Sequence, residues 1–511
     1  MKTVSTAEMR AWEQKGLQSG MRAEFLMQHA VSGLMARWIK RFPRPGQALF
    51  FCGKGHNGND GLWLAELLRR HGWDVAIVLS HQPSQRRAVE SAEVRASIQH
   101  ASVWPQTPEF PGRTGKIRIL VDALLGTGAS GAPRGMEKDL LSAMAGLSSS
   151  FDFKISLDAP SGIDADTGQP FPDAFRADLT MCLGAIKKGL LQDQARPWVG
   201  RLDCIPLPLP LETCDASGSD TFHLQDAHSL ARHLSASSHK YQRGTLSVWA
   251  GSPGMGGAAL LSAGSGLRAG AGLVRLYTHP GLESAILQSH PEIMTWPLTP
   301  AALPAAFFKA KAWVLGPGIG VTDENFTILK NLLTSAPCPL VIDADALTLL
   351  ARDTGLLNEC HQPVLLTPHH GELERLLGEA FVERSSAADI WLKRHPSTIL
   401  IAKGPNTLVA ANNQRLSHNG SGNPGMASAG MGDVLSGILG SLLAQGYAPW
   451  DAARLGVYWH GLAADHAAES QTEQCLNACD LISHLGSAWK EIIALNASDD
   501  MLDVLPASSI N

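Results

Sequence analysis

Ala48-Leu49-Phe50-Phe51-Cys52 is a run of apolar residues, and Gly53-Lys54-Gly55-His56-Asn57-Gly58-Asn59-Asp60-Gly61 follows it directly. A helical stretch from Gly61 to His71, closed by Gly72, then leads into a second apolar run, Val75 to Leu79. Strand, helix and strand in this order make a βαβ unit, and the pattern recurs along the chain. Further strands are expected at Ile117 to Val121, Ile155 to Leu157 and Leu179 to Cys182, then at Thr245 to Ala250, Trp313 to Leu315, Leu340 to Ile342, Val364 to Thr367 and Thr398 to Ala402. Both halves therefore read as α/β with mostly parallel sheets. In such sheets ligands bind beyond the carboxyl ends of strands, so the residues just after each run are the chemical candidates.

Between the halves, Pro206-Leu207-Pro208-Leu209-Pro210 can neither continue a helix nor sit in a central strand, and the small polar run Asp215 to Asp220 follows it. Domains are expected over residues 1–215 and 222–500. The 511 residues are enough for two or three domains with cores of their own. With 17% charged and 44% hydrophobic residues and no long apolar run, neither wholesale disorder nor a membrane span is expected. A net charge of -5 without a basic block argues against nucleic-acid binding through phosphates, leaving small molecules as the expected partners. Eight cysteines without a CxxC pair read as reduced thiols, and Cys475 and Cys479 as a buried pair on one helix face. Ser5 and Glu8 stand at capping-box spacing, and no apolar signal core precedes them, so a cytoplasmic location is expected.

Glycines between a strand and a helix let backbone amides converge on an anion, where the helix dipole adds a favourable field. The loop at 53–61 does not match the dinucleotide fingerprint; its Asn57, Asn59 and Asp60 suit sugar hydroxyls or a cation better than bare phosphate. Taken alone, the segment reads equally as a glycine-rich turn with polar caps. Asp122-Ala123-Leu124-Leu125-Gly126-Thr127-Gly128 and Asp158-Ala159-Pro160-Ser161-Gly162-Ile163-Asp164 follow two later strands. If Asp60, Asp122 and Asp158 meet in one cleft, their repulsion must be relieved by a cation or a shifted pKa.

These segments, with Gly184-Ala185-Ile186-Lys187-Lys188-Gly189, resemble the NAD(P)H-hydrate epimerase family over about residues 1 to 215. The resemblance implies a Rossmann-like α/β/α domain. It also implies substrate contacts from His56, Asn57, Gly58, Asn59 and Asp60, from Gly126, Thr127, Gly128, Ala129, Ser130, Gly131 and Ala132, and from Asp158. A potassium ion would be held at Asn57, Asp122 and Ser161. Asp158 is the favoured acid/base residue and Asp60 the second candidate. His56 and Asn59 depart from the Asn and Gly common at those positions.

In the other half, five glycines between Asn419 and Asp433 open the apolar helix that starts at Val434. Glycines before a helix leave free amides aimed at one point, as a transferring phosphoryl group requires, and an Asp beside them can deprotonate an attacking hydroxyl. This helix start resembles ribokinase-type phosphotransferases. His239 to Gly244, Gly254 to Ala258, Gly316 to Gly320, Thr367 to Glu372 and Lys403 to Thr407 narrow the resemblance to the ADP-dependent NAD(P)H-hydrate dehydratase family, over about residues 222 to 500. It implies a ribokinase-like α/β/α domain. Ala258, Gly318, His369 and Asp433 would contact the hydrated nucleotide, and Lys403, Gly404, Pro405, Asn406, Thr407 and Gly432 the adenine nucleotide. Asp433 would be the catalytic base, and ADP with Mg2+ the phosphoryl donor. Pro405 and Asn406 are larger than the residues common there. His460 and His466 read as packing or surface residues, and Trp249 and Trp313 as core.

Together the halves imply a homo-oligomeric, bifunctional enzyme that repairs hydrated NADH and NADPH. It would interconvert the R and S epimers and dehydrate the S form with ADP, releasing AMP and phosphate. The alternative is a ribokinase-type small-molecule kinase carrying a non-catalytic N-terminal binding module.

Overall fold

Along the first predicted strand, Ala48, Phe50 and Cys52 enter one apolar cluster while Leu49 and Phe51 enter another. A strand buried on both faces belongs in the middle of a parallel sheet covered by helices on either side. The computed structural model describes all residues except 1, 86–90, 107–114, 129–130, 211–213, 215–217, 238, 298–308 and 495–511. The described residues form two units, 2–219 and 220–494.

In the first unit the strands are β1 (Gln47–Cys52), β2 (Asp74–Leu79), β3 (Ala101–Val103), β4 (Arg118–Ala123), β5 (Phe153–Leu157), β6 (Leu179–Leu183) and β7 (Arg201–Ile205). They pair in the order β3-β2-β1-β4-β5-β6-β7, every neighbour parallel. The order reverses between β1 and β4, and at such a switch point the connections diverge and leave a crevice for ligand. Trp38 is buried edge-on to Trp73, with centroids 5.3 Å apart, and closes the core on one face. At the chain start the capping box forms: Glu8 N donates to Ser5 Oγ (3.1 Å) and Ser5 N to Glu8 Oε2 (2.6 Å), opening the helix Thr6–Gln18.

The helix after β1 differs from expectation. It spans His56–Arg70 rather than beginning at Gly61, so residues 56–60 form its first turn. The loop is only Gly53-Lys54-Gly55. A Cβ on Gly58 would lie 2.0 Å from the Gly53 carbonyl, and one on Gly53 would lie 1.9 Å from that of Leu124. Glycine at these two positions lets the helix start directly above the strand end.

The second sheet contains β8 (Ser219–Phe222), β9 (Thr245–Trp249), β10 (Leu273–Thr278), β11 (Met294–Pro297), β12 (Ala312–Leu315), β13 (Leu340–Ile342), β14 (Val364–Leu366), β15 (Thr398–Ala402), β16 (Leu408–Ala411) and β17 (Leu416–Asn419). Its order is β11-β10-β9-β12-β13-β14-β15-β16-β17-β8, parallel from β11 to β15 and antiparallel through the hairpin β16-β17. Trp249 and Trp313 lie in its core. The helix Met431–Ala444 is almost wholly buried and packs on Gly256–Arg268. A Cβ on Gly437 would meet the Ser262 carbonyl at 2.1 Å, so the two helices approach backbone to backbone.

All eight cysteines are reduced thiols. Six are buried, but Cys475 and Cys479 are exposed. The expected buried pair fails because Cys475 ends the short helix Glu473–Cys475 while Cys479 is the second residue of the helix Ala478–Ile493, with the capping Asn477 between them. No helix among the described residues is long and apolar enough to cross a membrane.

Candidate active sites

In the first unit the strand ends bring the expected acidic residues together in two groups. Asp158 follows β5 in a left-handed conformation (φ 64°), a strained backbone that short polar residues tolerate better than most. Its Oδ2 accepts hydrogen bonds from Thr127 N (3.1 Å) and Thr127 Oγ1 (2.8 Å), which bind the loop after β4 to the loop after β5. Its Oδ1 accepts from Lys187 Nζ at 2.5 Å. Lys187 is 0% exposed; it falls in the segment Gly184 to Gly189 that carries the resemblance but is not among the expected site residues. Burial alone would raise the Asp158 pKa, but the Lys187 charge and the Lys187 and Thr127 hydrogen bonds outweigh it and hold the carboxyl below its ordinary value. Asp60 behaves in the opposite sense. Burial first, then the charges of Asp158 and Glu13, push its pKa well up. Its carboxyl makes no hydrogen bond to the described residues. Glu13, on the helix Thr6–Gln18, is a further acidic group that the sequence does not flag; its pKa is raised by burial against the opposing pull of Lys187.

The second group is Asn57, Asp122 and Ser161. Asp122 Oδ1 accepts from Ser161 Oγ (2.6 Å) and Leu124 N (3.1 Å), and Oδ2 from Ser161 N (2.7 Å) and Ser156 Oγ (3.2 Å). Burial still raises the Asp122 pKa to about 6. Asn57 Nδ2 donates to the carbonyls of Leu125 (2.8 Å) and Leu157 (3.1 Å), while its Oδ1 is buried without a hydrogen-bond partner. An orphaned amide oxygen, a buried carboxylate and a hydroxyl are hard oxygen donors of the kind a potassium ion takes. Among the described residues no three His, Cys, Asp or Glu side chains cluster as a transition-metal site would require.

The remaining expected contacts lie along the same rim. A Cβ on Gly126 would sit 3.0 Å from Asn57 Cβ and 3.3 Å from Asp158 Oδ2. Arg10 donates to the Gly128 carbonyl at 3.2 Å, and Gly131 and Ala132 continue the loop. Ala129 and Ser130 lie outside the described residues. His56 is exposed at the helix start, whereas Asn59 is fully buried.

In the second unit Asp433 sits in the first turn of Met431–Ala444, after Gly430 in a left-handed conformation (φ 84°). Its pKa rises to about 7 through burial and the nearby Asp343 charge, opposed by Lys403. Lys403, directly after β15, places Nζ 2.8 Å from Asp343 Oδ1 and 3.9 Å from Glu372 Oε2. Ser436 Oγ donates to the other Asp343 oxygen at 2.5 Å. A Cβ on Gly432 would come within 3.2 Å of Lys403 Nζ, so glycine keeps the cation close to the helix start. Asp343, buried after β13, obeys the strand-end rule although it is not among the expected site residues. Ala258 and Gly318 adjoin, since a Cβ on Gly318 would lie 3.0 Å from Ala258 Cβ. His369 caps the helix His370–Leu377 and is exposed, with Glu372 N donating to its Nδ1 at 3.3 Å. The loop Lys403–Gly404–Pro405–Asn406–Thr407 is held by Arg384, which donates to the Pro405 carbonyl at 2.8 Å. Asn406 takes φ 45° and anchors itself on the Asn419 carbonyl (2.8 Å), which accounts for an Asn there.

The first unit is thus a doubly wound α/β domain with paired acidic sites at its switch point, and the second an α/β domain whose glycine-lined helix start carries Asp433 beside the Lys403–Asp343 ion pair. A family model described as NAD(P)H-hydrate dehydratase matches residues 246–486, and one described as YjeF-related protein N-terminus matches residues 23–189. The chain is 35% identical to the bifunctional NAD(P)H-hydrate repair enzyme of Coxiella burnetii over 485 residues, covering 94% of this chain and 97% of that one. It is also 35% identical to the Escherichia coli enzyme of the same name, covering 87% and 85% of the two chains. A solved structure of a hypothetical protein from Streptococcus mutans matches 54% of this chain and all of its own, with 25% identity and a TM-score of 0.50. The chain belongs to the family of bifunctional NAD(P)H-hydrate repair enzymes.

Proposed function

We propose that residues 1–215 epimerise hydrated NADH and NADPH and that residues 222–500 dehydrate the S epimer with ADP. The observation that carries this reading is the difference in protonation between the acidic groups, matched in each unit to the chemistry required. Burial and the charges of Asp158 and Glu13 favour the protonated form of Asp60, while Lys187 and Thr127 favour the ionised form of Asp158. Asp60 would protonate the C6 hydroxyl of the hydrate, which leaves as water while the ring nitrogen supplies the electron pair. Asp158, held ionised by Lys187, would stabilise the resulting iminium. Water adding to the opposite face would release its proton to solvent, from which Asp60 is reprotonated, completing the inversion with nothing consumed.

In the second unit Asp433 would take the proton from the C6 hydroxyl as its oxygen attacks the terminal phosphoryl group of ADP, displacing AMP. Phosphate, a far better leaving group than hydroxide, would then depart from C6 under push from the ring nitrogen, and loss of a proton from C5 of the resulting iminium would restore the reduced nicotinamide. The carboxylates of Asp343, Asp345 and Glu372, all near enough to raise the Asp433 pKa, leave little positive charge beyond Lys403 for the phosphates, which is why ADP is expected to arrive with Mg2+. Gly432 and the loop 403–407 would hold that nucleotide.

Hydrate of mixed epimers, ADP and Mg2+ are expected to regain the full reduced-nicotinamide absorbance in one phase. With Asp158→Ala the S half should recover quickly and the remainder at the spontaneous epimerisation rate. A kinase would instead accumulate a phosphorylated product without that absorbance, and a one-phase curve from the variant would remove the epimerase role of the first unit.

Asn57, Asp122 and Ser161 would hold potassium, whose charge offsets the buried Asp122 carboxylate. Exchanging potassium for tetramethylammonium is expected to lower the thermal midpoint of the first unit as well as epimerisation. Unchanged melting and rate would refute the cation site.

A further inference from the structure

The glycine-rich loop that precedes Asp433 does not hold its shape through its own contacts alone. It lies against the helix Pro449–Ser470, and four residues on that helix meet it at its two ends. Asp465, buried, accepts a hydrogen bond from Gly422 N (2.9 Å) on one carboxylate oxygen and from Asn423 Nδ2 (3.0 Å) on the other. His460, also buried, donates from Nε2 to the Met431 carbonyl (3.0 Å), one residue before Gly432. Beside the first of these contacts Ser421 Oγ donates to the Tyr458 carbonyl at 2.7 Å. Gly461 admits the close approach: a Cβ there would lie 2.3 Å from Ser421 Oγ, 2.8 Å from the Ser421 carbonyl carbon and 2.9 Å from Gly422 N.

We infer that the helix Pro449–Ser470 is the mould of the phosphate-facing loop, with Asp465, His460 and Gly461 acting as positioning residues for phosphoryl transfer. The inference rests on the dehydratase reading of the second unit. None of the three is expected to touch substrate. Their role is to fix the direction of the backbone amides between Gly422 and Gly432, because donors aimed at a developing charge contribute only when their geometry is set beforehand. A loop of glycines is the least able to set it unaided, since glycine has the widest range of backbone conformations to lose. His460 and Gly461 are adjacent, and Asp465 lies one turn further on, so one rigid element supplies both clamps.

The test uses the full chain, whose epimerase activity serves as an internal control. Asp465→Asn retains shape, but it offers one acceptor oxygen to two donors and turns an amide NH2 toward the other. Gly461→Ala leaves every donor and acceptor in place and improves helix propensity, but its Cβ would press on Ser421 and Gly422 N and displace the loop. Each is expected to lower kcat for dehydration about 10- to 100-fold, the scale of a displacement of about 1 Å. KM for ADP and the epimerisation rate should change little. His460→Gln, which keeps a donor for the Met431 carbonyl, should retain more activity than His460→Leu.

Amide hydrogen exchange at Gly422 gives a readout independent of turnover. Protection is expected in the unaltered chain and its loss in Asp465→Asn. If kcat per ADP-binding site is unaltered in both variants, the positioning role is overturned. Should either variant fail to fold, rapid exchange at Gly422 in the unaltered chain would overturn the inference equally. Absence of any ADP-dependent dehydration by the unaltered chain would sink the reading of the second unit, while exchange at Gly422 would still decide the clamp.

Discussion

Asp433→Asn is expected to lower dehydration by about 100- to 10,000-fold, the usual contribution of a general base, while ADP binding and epimerisation persist. The substitution keeps the size and most of the polarity of the side chain and removes only its ability to take a proton. A pH dependence should accompany the loss. Burial and the neighbouring Asp343 carboxylate lift the Asp433 pKa to about 7. The active form is the ionised one, so kcat/KM for dehydration should climb tenfold per unit as pH rises toward 7 and level off above it. Stopped-flow absorbance across pH 5 to 9 would show this limb in the unaltered chain and not in the variant. A variant that turns over at near-normal rate would remove Asp433 from the role of base.

The second large effect is expected at Lys187. Removing one member of a buried ion pair strands the other charge in a poorly solvated place, at a typical destabilisation of about 3–5 kcal/mol. Lys187→Met should therefore lower the stability of the first unit markedly and abolish most epimerisation, because Asp158 would no longer be held as an anion. The pH dependence of stability follows from both partners. Asp158 has a folded pKa below 3.8, so its contribution is present above that value and fades as pH falls through the folded pKa. Lys187 has a folded pKa above 10.5, so its contribution is present below that value and fades as pH rises through the folded pKa. The pair thus stabilises the unaltered unit throughout the neutral range. In the variant, burial without a cation raises the Asp158 pKa, so the deficit should shrink on acidification as that carboxyl takes up a proton. Urea unfolding at pH 5 and pH 8 would reveal the contrast, and an equal deficit at both would contradict it.

Much of this is legible in the amino-acid sequence. The central strands betray themselves as short apolar runs, and the Asp residues that follow them stand where a parallel sheet presents ligands. Features determined by tertiary contact are harder to read. The helix from His56 opens with Asn, Gly, Asn and Asp, all poor helix formers, and it forms because Asn57 is bonded to two carbonyls of neighbouring loops and Gly58 clears the strand end. Lys187 looks like one more surface lysine, since lysine is seldom buried unless paired, and its partner lies 29 residues away in sequence. Asp343 is the one omission that strand-end reasoning could have avoided. His460 passes for a packing residue because its partner is a backbone carbonyl, which leaves no trace in residue types.

The distribution of thiols has a practical consequence. Only Cys475 and Cys479 are exposed, while Cys52, Cys182, Cys204 and Cys214 are buried in the first unit and Cys338 and Cys360 in the second. Because a buried thiol must open to solvent before it reacts, alkylation of the native chain with a bulky maleimide should stop at two adducts. Under mild denaturant, peptide mapping of the later adducts would then time the opening of each unit separately, without any engineered label.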